Sequence, residues 1–212
     1  MATSETEIAN LALGHLGQSV EISNLRTQRT PAAIALRTIY DTCRRMVFRA
    51  TPWSFAHKIG ALGLVSTYGV DDGHPTSEWK YAYERPSDAV MFRKIQSGIR
   101  NENRQSRIPY KESRGFMRTG GGIFIFTDQP EAIGEWTVDV TDPSLYPDDF
   151  VMALSLCLAT YAAPKITGED PFKMGDRARG LYQFEIGVSR TNNAAEVQEE
   201  EAPDSELERA RT

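Results

Sequence analysis

The chain has 212 residues, 40% of them hydrophobic, enough for a real core in one domain with an insertion or in two small domains. Its formal net charge is −5, and the seven acidic and two basic residues from Glu196 to Thr212 account for all of it, so the acidity belongs to the tail and the body is neutral. Two cysteines, Cys43 and Cys157, lie in apolar helical patterns without CxxC spacing, which argues for buried thiols and against a disulfide framework or a zinc site.

The N-terminus has neither a basic flank nor an apolar signal core, so the chain is expected to act without secretion. A first helix is expected from Ser4, which forms a capping box with Glu7; Ile8, Leu11, Ala12 and His15 or Leu16 then recur at helical spacing, and Gly14 and Gly17 punctuate the end. Residues 20–30 read as a loop whose Ile22 and Leu25 reach the core. Thr30 caps a second helix with Pro31 as its first residue and Leu36, Ile39, Cys43, Val47 and Ala50 on one stripe. Its other face carries Arg37, Arg44, Arg45 and Arg49, read as a solvated face in preference to a nucleic-acid or partner surface.

Pro52 ends that helix, and from Trp53 the period changes to extended runs separated by turn residues. Trp79, Tyr81 and Tyr83 alternate onto one strand face, residues 89–95 are strand-compatible, Gly120 to Gly122 read as a hairpin turn into Ile123–Phe126, and residues 133–140 give a further strand. Between Arg93 and Arg118 there are eight Lys or Arg and two acidic residues, the basic part of an otherwise neutral body.

Residues 146–168, YPDDFVMALSLCLATYAAPKITG, hold the longest apolar run. Pro147, Asp148 and Asp149 suit the start of a helix, and between Phe150 and Ala163 only Ser155, Thr160 and the Tyr161 hydroxyl are polar, so the helix is expected to be buried all round. About fourteen apolar residues fall short of the ~20 of a bilayer span, and Pro164 interrupts the run, which favours a core helix over a membrane helix. Asp170 and Pro171 open a fourth helix with Met174, Ala178, Leu181 and Val188 on its buried stripe, and the body is expected to end near Arg190. Beyond it only Val197 and Leu207 are sizeable apolar residues, too few for that stretch to fold alone. The order of elements predicts an α+β protein: a mainly α-helical bundle of about four helices, a β-rich insertion between helices 2 and 3, and an extended C-terminal arm. The expected segments are 1–52, 53–145, 146–190 and 191–212.

Catalytic signatures are sparse. His15, His57 and His74 lack paired ligand spacing, and no nucleophile elbow or P-loop occurs. The adjacent carboxylates Asp71 with Asp72 and Asp148 with Asp149 have local explanations, in a turn and at a helix start. The aromatics from Trp53 to Tyr83 beside the basic segment could form a single-strand nucleic-acid platform, but their spacing on strands fits core packing better.

Four segments in order, EIANLALGHLGQ, PWSFA at the end of the Arg-rich second helix, YAYERPSDAV and YPDDFVMALSLCLATYAAPKITG, resemble the tail tubular protein A and head-to-tail adaptor family of tailed phages. The likeness covers most of residues 5–190. It implies a structural adaptor rather than an enzyme: a ring, dodecameric to match its portal, between the portal and the tail, with a channel for DNA. The implied partners are the portal protein, a tail nozzle or tail tube protein, further copies of the chain and transiting double-stranded DNA held non-specifically, with no cofactor, metal or membrane. The implied location is the virion neck, assembled in the host bacterial cytoplasm. Under this resemblance the acidic arm is expected to dock on the portal through Glu196, Glu199, Glu200, Glu201, Leu207 and Arg209, with Ser205 and Glu208 at capping-box spacing. Arg93, Arg100, Arg104 and Arg107 are expected to face the channel or the tail. The alternative is a peptidoglycan-cleaving tail accessory enzyme.

Overall fold

The computed structural model describes residues 4–71, 74, 76–99, 106–117, 120–168 and 171–195. Among these, four helices and two antiparallel sheets make a mixed α+β fold. The helices are α1 (Glu5–His15), α2 (Pro31–Ala50), α3 (Asp148–Ile166) and α4 (Pro171–Ala195). All the strands lie between α2 and α3: β1 (His57–Ala61), β2 (Leu64–Thr67), β3 (Tyr81–Glu84), β4 (Ala89–Ile95), β5 (Lys111–Met117), β6 (Gly120–Thr127) and β7 (Ile133–Val138). One sheet has the order β1-β7-β4 and the other β2-β3-β6-β5.

Helix α3 is the centre of the helical layer because it offers no polar face. Phe150, Val151, the run from Ala153 to Ala159, Ala162 and Ala163 are all buried, and α1, α2 and α4 each pack on it. By length and composition alone α3 could cross a membrane; in the fold these three helices cover most of it, and, against the expectation of burial all round, Met152 and Tyr161 remain exposed. Ser155, buried mid-helix, meets its hydrogen-bonding needs by donating to the Met152 carbonyl and by pairing with His15 Nε2 at 3.1 Å. Both ends of α1 and α2 follow the sequence: the Ser4 and Glu7 capping box is formed, and Thr30 accepts from the Ala33 amide ahead of Pro31.

Three helix faces differ from expectation. In α1 the buried side is Ile8, Ala9, Ala12 and Leu13, and Leu11 faces out. In α2, Arg44 does not belong to a solvated face: only 5% exposed, it binds Asp139 through two hydrogen bonds of 2.9 and 3.0 Å and Asp41 at 2.8 Å, tying α2 to the chain just past β7. Arg37 is also engaged, donating to the Arg26 carbonyl at 2.6 Å and so bracing the 20–30 loop.

In α4 the buried positions are Gly175, Ala178, Ile186 and Ser189, with Met174 and Tyr182 half-buried. Leu181 and Val188, expected inside, are exposed. The cause is close approach: a Cβ on Gly175 would lie 3.4 Å from the Ala163 Cβ, so the small-residue side of α4 seats on α3 and rotates the larger apolar residues outward. The helix also runs past Arg190 to Ala195. Its last turns are tied down, since Asn193 Oδ1 accepts from the Ser54 amide at 3.0 Å and Arg190 donates to the Ala50 carbonyl at 2.8 Å.

Where α2 ends, Trp53, Phe55 and Phe48 close over Phe150 and Tyr146, with ring centroids 4.5–6.3 Å apart. The PWSFA segment therefore plugs the helical core through a short 3-10 turn, Ser54–Ala56, instead of starting a strand, and Trp53 Nε1 donates to the Val47 carbonyl at 2.9 Å. In the strand region, Tyr81 and Tyr83 share one packing cluster, but Trp79 precedes β3 and packs with Ala82, Phe124 and Phe126 on the other face. Gly120 to Gly122 are not the hairpin turn. They open β6, and Gly121 and Gly122 pair with Phe116 and Gly115 of β5, a strand that the basic, loop-like composition of its segment concealed.

Candidate interaction surface

The sequence-predicted site residues separate. Glu196, Glu199, Glu200, Glu201, Leu207 and Arg209, together with Arg100 and Arg104, lie outside the described residues. Arg107 is exposed in the segment before β5. Arg93 is half-buried and tied to the protein's own backbone. From β4 its side chain turns toward the C-terminus of α2, where Nη2 donates to the Phe48 and Thr51 carbonyls at 2.8 Å each and Nη1 to the Arg49 carbonyl at 3.4 Å, while Nε donates to Thr137 Oγ1 at 2.9 Å. The last carbonyls of a helix lack intrahelical donors and carry the negative end of its dipole, and a guanidinium supplies both what they need.

Two further arginines join it. Arg190 of α4 reaches the Ala50 carbonyl at 2.8 Å, and Arg49 of α2 reaches the Val90 carbonyl at 3.0 Å. Arg93 and Arg190 thus occupy consecutive carbonyls of one helix end, with Arg49 on the same turn. Burial first, and then the charges of Arg49 and Arg190, hold the Arg93 guanidinium below its ordinary value. None of the three is ion-paired with a carboxylate among the described residues. Sequence reasoning placed Arg49 and Arg93 in separate groups and used Arg190 only as a boundary; no local signal joins residues so far apart.

The outer face of α4 is a second exposed surface among the described residues. Leu181, Phe184 and Val188 recur at helical spacing, and Phe184 is 69% exposed. Exposed apolar residues are ordinary one at a time, but three in a row on one helix face form a patch. The strand region carries two adjoining clefts that share Glu84 to Ser87: one of about 610 Å³ beside Leu64, Gly122 and Phe124, the other of about 420 Å³ beside Lys58, Asp88 and Trp136. Asp88 is held there by Lys58 at 2.7 Å and by Trp136 Nε1 at 3.0 Å.

The paired carboxylates have local roles. Asp71 accepts from the Thr67 amide, and Asp149 accepts from the Phe150 amide in the first turn of α3; Asp72 lies outside the described residues. His57 pairs with Glu135 at 3.0 Å, and His74 Nδ1 meets the Thr76 backbone. Burial lowers the basicity of His15 and leaves its imidazole to serve Ser155 as a neutral partner. Among the described residues, no three His, Cys, Asp or Glu side chains converge as metal ligands would. No protein-family model matches the chain, and no curated protein matches it.

Proposed function

We propose that the chain is a structural adaptor that joins the portal of a phage capsid to the tail as a closed, dodecameric ring with a channel for DNA. In this reading the four helices form a bundle around α3, the strands are an insertion that reaches toward a tail nozzle or tail tube protein, and the acidic segment from Glu196 docks on the portal. The four sequence segments that resemble phage adaptors support it. The structural observation that carries it is the apolar stripe Leu181, Phe184 and Val188, left uncovered on the helix that leads into the acidic segment. A protein whose work is assembly needs an apolar face that its own chain does not fill, and in a ring each such face is covered by a neighbour.

The test is assembly. Purified protein mixed with purified portal is expected to add a ring visible by electron microscopy, whereas Phe184→Asp melts like the wild type and adds none. Wild-type protein that builds no ring on the portal, yet cleaves peptidoglycan, would replace the adaptor with the enzyme.

A further inference from the structure

Guanidiniums from β4 and α4 cap the end of α2, and a third, on Arg49 of that last turn, reaches out to the Val90 carbonyl of β4; together they exceed what that end requires. The negative pole of α2 amounts to roughly half an elementary charge, against three positive charges brought to it. Arg93 is almost fully committed: of its five N–H groups, four point to the backbone of α2 or to Thr137. It is a fixed positive centre. Arg49 and Arg190 differ, because each spends one N–H on a carbonyl and keeps the rest of its fork for another acceptor. Both are exposed, and Arg45, also exposed, stands one turn before Arg49 on the same side of α2. The result is a short, pre-organised cationic ridge on a body that is neutral as a whole.

We infer that Arg49 and Arg190, set around the fixed charge of Arg93, form an oxyanion site for the phosphate backbone of duplex DNA. Guanidinium forks suit phosphate oxygens, and a row of them on one surface suits a polyanion whose charges recur along its length. Few contacts per copy give weak, salt-dependent, sequence-independent holding. The choice of a duplex as the occupant rests on the adaptor reading, in which DNA passes through the ring; the cationic ridge itself does not.

The experiment is titration of a fluorescein-labelled 20-base-pair duplex with full-length protein between 50 and 200 mM NaCl. Binding by the wild type should weaken linearly on a log–log plot, with a slope of about −2 to −3. Arg49→Gln with Arg190→Gln should weaken binding at 50 mM NaCl by about tenfold or more and make the slope shallower by about 2, while melting like the wild type. Arg29→Gln, a neutralised exposed arginine at the opposite end of α2, should change nothing. The site falls if the wild type binds no duplex at 50 mM NaCl, or if the double variant binds as the wild type does. It also falls if a poly-glutamate peptide binds in an Arg49- and Arg190-dependent way while the duplex does not, since the forks then serve carboxylates. Ring formation on the portal separates the two readings. A double variant that builds rings but has lost the duplex upholds both, whereas a wild type that binds the duplex and builds no ring upholds the site and removes the adaptor.

Discussion

The helices bury one continuous core that reaches from Ile8 to Ile186, and nearly every part of it touches α3. The strands divide theirs: Tyr83, Phe92, Ile95, Ile125 and Trp136 form one cluster, and Ala82, Phe124 and Phe126 another. The helical layer is built by adding side chains to a central rod. The strand region depends at key points on leaving them out. A Cβ on Gly134 would stand 2.6 Å from Phe92 Cε2 and 2.9 Å from Leu62 Cδ2, and one on Gly60 would stand 2.9 Å from the Trp136 ring. Glycine there lets an aromatic ring approach the backbone of β7 or β1 closely. The lesson is that the two regions are vulnerable to opposite changes, truncation in one and enlargement in the other.

The sharpest way to break the comparison is Leu154→Ala. Leu154 is fully buried in α3, and its truncation is expected to cost about 2–5 kcal/mol by thermal or urea unfolding, before any effect on assembly. An unchanged melting temperature would deny α3 its central place. Next in size is Asp139→Ala at the junction of the regions, which strands the buried Arg44 without its two-point partner. Removing one member of a buried pair costs about 3–5 kcal/mol, and the partial exposure of Asp139 brings the expectation to about 2–3 kcal/mol. If the strand region then melts separately from the helices, the ion pair is what makes them one cooperative unit. The smallest effect is expected from Gly134→Ala, about 1–3 kcal/mol of overpacking against Phe92 and Leu62. A stabilising outcome would show that the Phe92 ring moves aside freely and that the contrast between the regions is weaker than the geometry makes it.

The same contrast explains what the sequence revealed. Helix caps, the α3 run and the burial of both cysteines were legible because capping and apolar periodicity are local signals. The buried face of α4 was legible only in part: the stripe placed Ala178 inside correctly but also Leu181 and Val188, while close packing on α3 favoured Gly175 and Ser189. Arg44 was misread, and the anchoring of Arg93 missed, for a related reason. Composition marks a charge but cannot show its partner, and both partners are remote: Asp139 for Arg44 and the end of α2 for Arg93. In the strand region β5 was hidden by Lys, Arg and Gly, because an edge strand needs little apolar pattern of its own.

The fastening of the α4 terminus to the α2–β1 connection also sets a route for mechanical load. Tension on the chain beyond Ala195 enters through Asn193 and Arg190, whose bonds to Ser54 and Ala50 lie side by side at one spot. That spot is the joint where the helical layer passes into the strands, and Ser54 stands in sequence between Trp53 and Phe55 of the aromatic plug. A pull on the C-terminal segment is therefore delivered to the joint first, instead of peeling α4 from its far end.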